Sequence, residues 1–266
     1  MSNYTCVFSY VGTNFNGSAE QLGTAGVNVR TVMGCIRTVI EMVVQKPVAI
    51  NLAGRTDRGV HARAQVANFS LDSTIDVGNL SKVINGRLAP EIVVHSIEEV
   101  NSEFHARFSA KARTYRYYIY NAKNPHPFYS AFSWHIYNDL NFDDMVEASK
   151  YFIGEHDFTT FCRTNPDVKH NIREVKSLDF HMVNKKDDLF EIAELETDTN
   201  SRLMCLEIQA NAFCWQMVRS ITGTLVDVGR GKVAPSQISE MLDMKDRNVT
   251  KQLAPPHGLT LYSIEY

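Results

Sequence analysis

Gly54-Arg55-Thr56-Asp57-Arg58-Gly59-Val60-His61-Ala62 stands between two apolar alternating runs, Val48–Ala53 before it and Gln65–Phe69 after it. Alternation with a period of two turns every second side chain to one face, so both runs are expected as strands and the nonamer as the loop joining them. Gly54 and Gly59 admit turn backbone close to a ligand. Asp57 lies between Arg55 and Arg58, and neighbouring cations favour the ionised form of a carboxyl group. A charged carboxylate on a glycine-bounded loop is a candidate nucleophile or base. Asp and Gly are also ordinary turn residues, and arginines ordinarily solvate loops, so composition alone leaves both readings open.

Working outward, Thr5–Tyr10 reads as an opening strand. The stretch Val11–Val27 is rich in Gly, Asn, Thr and Ser and reads as a long loop, a length that usually carries function or disorder. A helix is expected from Val29 to Val44, with Val32, Ile36 and Ile40 on its apolar face. A second runs from Asp76 to Leu88, with Pro90 helping to end it, and Ile92–Ile97 is a strand.

The order then repeats. Ala112–Tyr120 is an aromatic-rich strand, and Asn141, Asp143 or Asp144 caps a helix reaching Phe152. Glu174–Met182 and Arg202–Ala210 are strands around a polar excursion at Asn184–Asn200. Phe213–Val228 is a helix closed by Gly229 and Gly231, Pro235–Leu242 a short one, and Thr260–Tyr266 a last strand. Two such halves define an α+β protein of two α/β units, each an antiparallel sheet with helices packed on one face. The boundary falls near Asn101–Lys111, which divides the chain into residues 1–104, with the Asp57 loop, and residues 105–266.

The 266 residues are 44% hydrophobic and 21% charged, as expected of a soluble globular protein. A formal net charge of -3 excludes a chain that binds nucleic acid by bulk charge, and leaves room for a local basic cleft. The five cysteines are scattered and form no C-x-x-C pair, which argues against a disulfide framework or a zinc cluster and for buried thiols in a reducing cytoplasm. The nine histidines show no metal-ligand spacing. No signal peptide is expected at the N-terminus, and no apolar stretch is long enough to span a membrane.

Two further constellations carry chemistry. Phe104-His105-Ala106-Arg107-Phe108-Ser109-Ala110-Lys111-Ala112-Arg113-Thr114-Tyr115-Arg116-Tyr117 alternates aromatic and cationic residues. Cations reach phosphates and rings stack on bases, so the run suits an unstacked nucleotide; it equally suits a charged boundary followed by an aromatic core strand. In a strand, Tyr115 and Tyr117 share one face while Arg116 and Tyr118 share the other. The third constellation, Ala210–Ser220, passes from a strand into a helix whose Met217, Ile221 and Leu225 form a core stripe. Arg219 lies off that stripe, where most arginines are simply solvated.

Taken together the three stretches closely resemble the TruA family of tRNA pseudouridine synthases. The nonamer is similar to its signature loop, whose Asp is the catalytic residue, here Asp57. The run F-H-A-R-F-S-A leading into Y-R-Y is similar as well, and its first Tyr, here Tyr115, is the family's active-site tyrosine, which stacks on the target base. A phenol of pKa near 10 is a poor base at neutral pH, so stacking is the role expected of it. Phe-x-x-x-Met-Val-Arg implies that Arg219 pairs with Asp57; Trp215 is expected to pack, and His61 to donate a loop-fixing hydrogen bond. Gly154–Phe161, Arg173–Val175 and Ala254–Tyr262 also resemble family segments.

The resemblance implies two pseudo-equivalent halves whose sheets join into one extended sheet, with the active cleft between them. It implies isomerisation of uridines 38, 39 and 40 in the tRNA anticodon stem-loop by a cytoplasmic homodimer. Such a reaction calls for neither metal nor cofactor. By family position Arg55 fills or opens the gap left by the flipped base. Arg58, Arg63, Arg107, Lys111, Arg113 and Arg116 are a pool of phosphate contacts. One place departs from the pattern. The family commonly carries Gly-Trp-Gln and Thr-Val-Gln where this chain has Gly17-Ser18-Ala19 and Thr31-Val32-Met33. That loop is associated with holding RNA, so the change bears on substrate contact.

Two other classes compete. A non-catalytic RNA-binding protein accounts for the aromatic-cationic strand, but lacks an RNP1-type consensus and gives no reason for the Asp57 loop. A hydrolase built on Asp57 and His61 needs a nucleophile, a second carboxylate or a metal set, and none stands out.

Overall fold

The computed structural model describes residues 1–21, 29–71, 76–163, 169–184 and 201–266; the later part of the Val11–Val27 loop and all but the first residue of the Asn184–Asn200 excursion lie outside them. The chain forms two compact units, Met1–Arg113 with Thr260–Tyr266, and Thr114–Leu259. The first thus runs past the expected boundary at 104 and takes back the last strand.

In the first unit the strand order is β4 (Ile92–Val100), β1 (Ser2–Tyr10), β3 (His61–Leu71), β10 (Leu259–Glu265), with β2 (Ile50–Leu52) also on β3. Tyr4, Cys6, Phe8 and Tyr10 of β1 are buried, whereas Thr5, Val7 and Ser9 are not, as the alternation requires. On β4 the phase changes. Ser96 pairs with Val7 and Val94 with Phe8, so His95 is an extra residue, and the bulge turns both Val94 and Ile97 inward. Most pairings are antiparallel, as expected, but β10 runs parallel to β3, with Thr260 opposite His61 and Leu261 opposite Ala62.

Helix α1 (Val32–Val44) starts later than expected because the Thr31 side chain caps it, accepting from the Gly34 amide at 3.2 Å. Such a cap contributes about 1 kcal/mol. Val32, Met33, Ile36, Val39 and Ile40 form its buried stripe. Asp76 caps α2 (Val77–Leu88) through Gly78 and Asn79, and Leu80 and Ile84 are buried one turn apart. In a smaller cluster of this unit Ala53, Val66 and Ala106 pack with Phe104, Ile264 and Tyr266.

In the second unit the order is β5 (Ala112–Asn121), β9 (Arg202–Ala210), β8 (Ile172–Met182), β7 (Gly154–Asp157), with β6 (Trp134–Ile136) parallel on β5. Helix α3 (Pro127–Ser130), β6 and β7 were not anticipated; three or four residues are too few to show a period. Asn141 caps α4 (Phe142–Ser149), and a single 3-10 turn carries the chain on to Phe152. Helix α5 (Met217–Gly229) is buried on nearly every side, and α6 (Gln237–Met244) follows it. A Cβ at Gly229 would lie 2.5 Å from Met145 Sδ, so that glycine sets how closely α4 and α5 approach. Cys6, Cys162 and Cys205 are buried free thiols as expected, but Cys35 and Cys214 are partly exposed.

Candidate active site

Strand β3 begins at His61, inside the signature stretch, so the loop proper is short. Within it Asp57 O accepts from Val60 N at 3.1 Å, a turn with Arg58 and Gly59 at its corners. Gly59 has φ 81°, the positive value that a type II turn demands of its third residue. Side chains alternate along the loop: Arg55 is exposed, Thr56 buried, Asp57 half-buried and Arg58 exposed.

A buried polar cluster lies under that loop. The Tyr10 hydroxyl is 2.8 Å from Thr56 Oγ1. Gln65 Nε2 donates to Gly54 O at 2.9 Å. Ser18 Oγ accepts from Thr56 N at 2.8 Å, and Ser18 N donates to Thr56 O at 3.1 Å. Burial raises the pKa of the Tyr10 phenol, while hydrogen bonds from Thr56, Gln65 and Ser18 pull it down. Ser18 was expected on an RNA-holding loop; it is fully buried behind the Asp57 loop.

His61 is buried, and its Nδ1 lies 3.0 Å from the Gly12 amide nitrogen. A backbone amide only donates, so Nδ1 is the accepting nitrogen of this bond. Gly12 is required at this spot, because a Cβ there would fall 2.0 Å from Val60 O.

In the second unit Tyr115 is buried on β5 and meets the Phe213 ring edge-on, with centroids 5.0 Å apart. Helix α5 begins only at Met217, after Gln216 takes a left-handed φ of 63°. The expected start at Phe213 fails because tertiary contacts claim the residues before it. Phe213 goes to Tyr115, and Trp215 O accepts from Arg163 N at 2.9 Å. The Trp215 ring, expected to pack, stays 39% exposed.

Arg219 is half-buried on the first turn of α5. Its Nε donates to Ala254 O at 2.8 Å, and Ala254 N returns a bond to Arg219 O at 3.1 Å. The Tyr117 hydroxyl donates to Pro255 O at 2.8 Å, and burial raises its pKa against the opposing charge of Arg219. His257 is pushed down, first by burial and also by Arg219, against a hydrogen bond that it donates to the Ser133 backbone. The Ala254–Gly258 stretch therefore braces both Arg219 and Tyr117, a role the sequence reading did not assign.

The candidate phosphate contacts sort into two groups. Arg55, Arg58, Arg63, Arg107 and Lys111 are exposed, and Arg113 and Arg116 are half-buried. Arg113 donates to Ala110 O, Ala53 O and Arg107 O at 3.2, 3.0 and 2.7 Å, fastening the turn after Phe104 to the end of β2. Arg116 pairs with Glu207 at 2.5 Å on the face away from Tyr115. Arg63 lies over the Tyr262 ring at 4.7 Å. Among the described residues no three His, Cys, Asp or Glu side chains cluster as a metal site, and no helix is long and apolar enough to cross a membrane.

One unit thus carries a half-buried aspartate on a glycine-bounded loop, and the other a buried tyrosine and a braced arginine. Comparison with known proteins gives the class: an enzyme that makes pseudouridine in tRNA. A profile of the tRNA pseudouridine synthase family matches residues 7–109 and 148–266. The chain is 34% identical over 266 residues, the full length of both, to tRNA pseudouridine synthase A of Pseudothermotoga lettingae. It is 35% identical to tRNA pseudouridine synthase A of Bacillus subtilis, over 98% of each chain. This chain belongs to the tRNA pseudouridine synthase family, and within it to the TruA type. It is an isomerase that converts uridine to pseudouridine in tRNA.

Proposed function

We propose that the uridines converted are 38, 39 and 40 of the anticodon stem-loop, with Asp57 the catalytic residue. The observation that carries the assignment is the Gly54–Ala62 loop, which holds Asp57 half-buried at a turn between two exposed arginines. The N1 glycosidic bond breaks, the uracil turns in place, and C5 bonds to the same sugar carbon. Asp57 acts by attacking that carbon, adding to C6, or removing a sugar proton. Reactant and product are isomers, so the step needs no net oxidant and no net water.

The target base must leave a helical stem, at a cost of about a few kcal/mol. Arg55 fills or opens the gap, and Tyr115 stacks on the loosened base and keeps it from solvent. Arg219 pairs with Asp57, holding the carboxylate charged and aimed. Arg58, Arg107, Arg113 and Arg116 are the proposed backbone contacts, with Arg55, Arg58 and Arg107 favoured by their exposure. The enzyme works in the cytoplasm as a homodimer whose subunits together cradle the tRNA.

The test is release of tritium from tRNA labelled at uridine C5. Wild type releases it; Asp57→Ala does not, while binding tRNA within a fewfold of wild type. Mapping pseudouridine in tRNA from cells with and without the protein then checks positions 38, 39 and 40. Continued release by Asp57→Ala refutes the assignment.

A further inference from the structure

We propose that Ser18 is a positioning residue for Asp57. The inference rests on the reading of Asp57 as the catalytic group. Ser18 holds the main chain of Thr56, the residue just before Asp57, at both of its polar groups. Ser18 Oγ accepts from Thr56 N at 2.8 Å, and Ser18 N donates to Thr56 O at 3.1 Å. The Thr56 side chain is held as well, with Oγ1 2.8 Å from the Tyr10 hydroxyl on β1. Asp57 O is then fixed by the turn to Val60 N.

The clasp is anchored on a helix. Ser18 O accepts from Met33 N at 3.0 Å, and Gly17 O from Val32 N at 3.3 Å. Those amides belong to the first turn of α1, where N–H groups have no partner within the helix. Gly17 has φ 96°, and a Cβ there would sit 3.0 Å from Thr56 O, so the approach needs glycine. Ser18 therefore transmits the position of α1 to the backbone that carries Asp57.

This is also where the chain departs from the Trp that TruA loops commonly carry. An indole is a donor only and cannot accept the Thr56 amide, whereas the Ser18 hydroxyl does. Removing the hydroxyl leaves a buried N–H without that acceptor, and the loop must shift to find another. A catalytic group displaced by about 1 Å loses on the order of 100-fold in rate.

Turnover of unmodified tRNA is measured for wild type, Ser18→Ala, Ser18→Cys and Asp57→Ala, beside tRNA affinity and thermal unfolding. Ser18→Ala is expected to lower kcat by about 10- to 100-fold, with KM and tRNA affinity within about twofold. Ser18→Cys keeps the shape with a weaker acceptor and falls between. The inference is overturned if Ser18→Ala keeps wild-type kcat, if its loss lies in KM or tRNA affinity, or if the loss only tracks the unfolded fraction. Should Ser18→Ala fail to fold, Ser18→Cys is judged by the same criteria. Turnover by Asp57→Ala overturns the catalytic reading and this inference with it; a dead Asp57→Ala beside a normal Ser18→Ala overturns the positioning role alone.

Discussion

The Tyr115 ring stands edge-on to the Phe213 ring, with the planes at 84° and centroids 5.0 Å apart. Phe213 is half-buried in the step between β9 and α5, so the strand that carries the tyrosine is braced by the approach to the helix that carries Arg219. Edge-to-face contact sets a ring's plane as well as its place. Phe213→Ala is expected to lower stability by about 2 kcal/mol and kcat on the order of tenfold, because Tyr115 gains freedom to tilt. Chemical denaturation and steady-state kinetics read the two effects. Unchanged kcat in Phe213→Ala would show that Tyr115 needs no such brace.

Gly59 and Gly231 both have positive φ, 81° and 70°, but only Gly59 forms the Asp57 turn. An alanine at either pays about 1–2 kcal/mol of backbone strain. Gly59→Ala is expected to lose turnover beyond its loss of stability. Gly231→Ala, whose Cβ meets nothing within 4 Å, serves as the control and keeps kcat. Equal kinetics in the two variants would count against the turn as the holder of the carboxylate.

The arginines are separable by salt. For exposed Arg55, Arg58 and Arg107, each substitution by Ala should lower the salt slope of tRNA binding by about one and leave stability within about 0.5 kcal/mol. Arg113→Ala should instead destabilise by about 1–3 kcal/mol, because three backbone carbonyls lose their donor. The Arg116–Glu207 pair keeps about a third of each side chain in solvent, so Arg116→Ala should cost under about 1 kcal/mol. Titrations of binding against salt, with thermal melts, distinguish these outcomes.

Gly258 touches the Tyr117 ring. A Cβ there would lie 2.6 Å from Cζ, and the ring is fully buried with its hydroxyl on Pro255 O. Gly258→Ala is expected to destabilise by about 1–3 kcal/mol through overpacking. Urea unfolding measures it, and a variant as stable as wild type would mean that the closing stretch yields easily.

Much of the fold was legible because burial leaves a local mark. The alternation of β1 and β5, and the stripes of α1 and α2, appear within a few residues of chain. Asp57, Tyr115 and Arg219 stood out because each lies in a dense local motif. Ser18 left no such mark. Its partner Thr56 is 38 positions away, and the departure at Gly17-Ser18 read as a change in RNA contact. The start of α5 was misplaced for a related reason. Phe213, Cys214 and Trp215 stand outside it through contacts with Tyr115, Asn171 and Arg163 in turn.

From the order of residues alone came the α+β class, the order of its longer elements and the motifs that mark the family, because period and motif are properties of neighbouring residues. Tertiary structure alone decided that the last strand lies parallel beside His61, that His61 accepts from Gly12, and that Ser18 and α1 stand behind the carboxylate loop. Those are hydrogen bonds between segments distant in the chain. Their partners are chosen when whole elements pack, at distances no local pattern encodes.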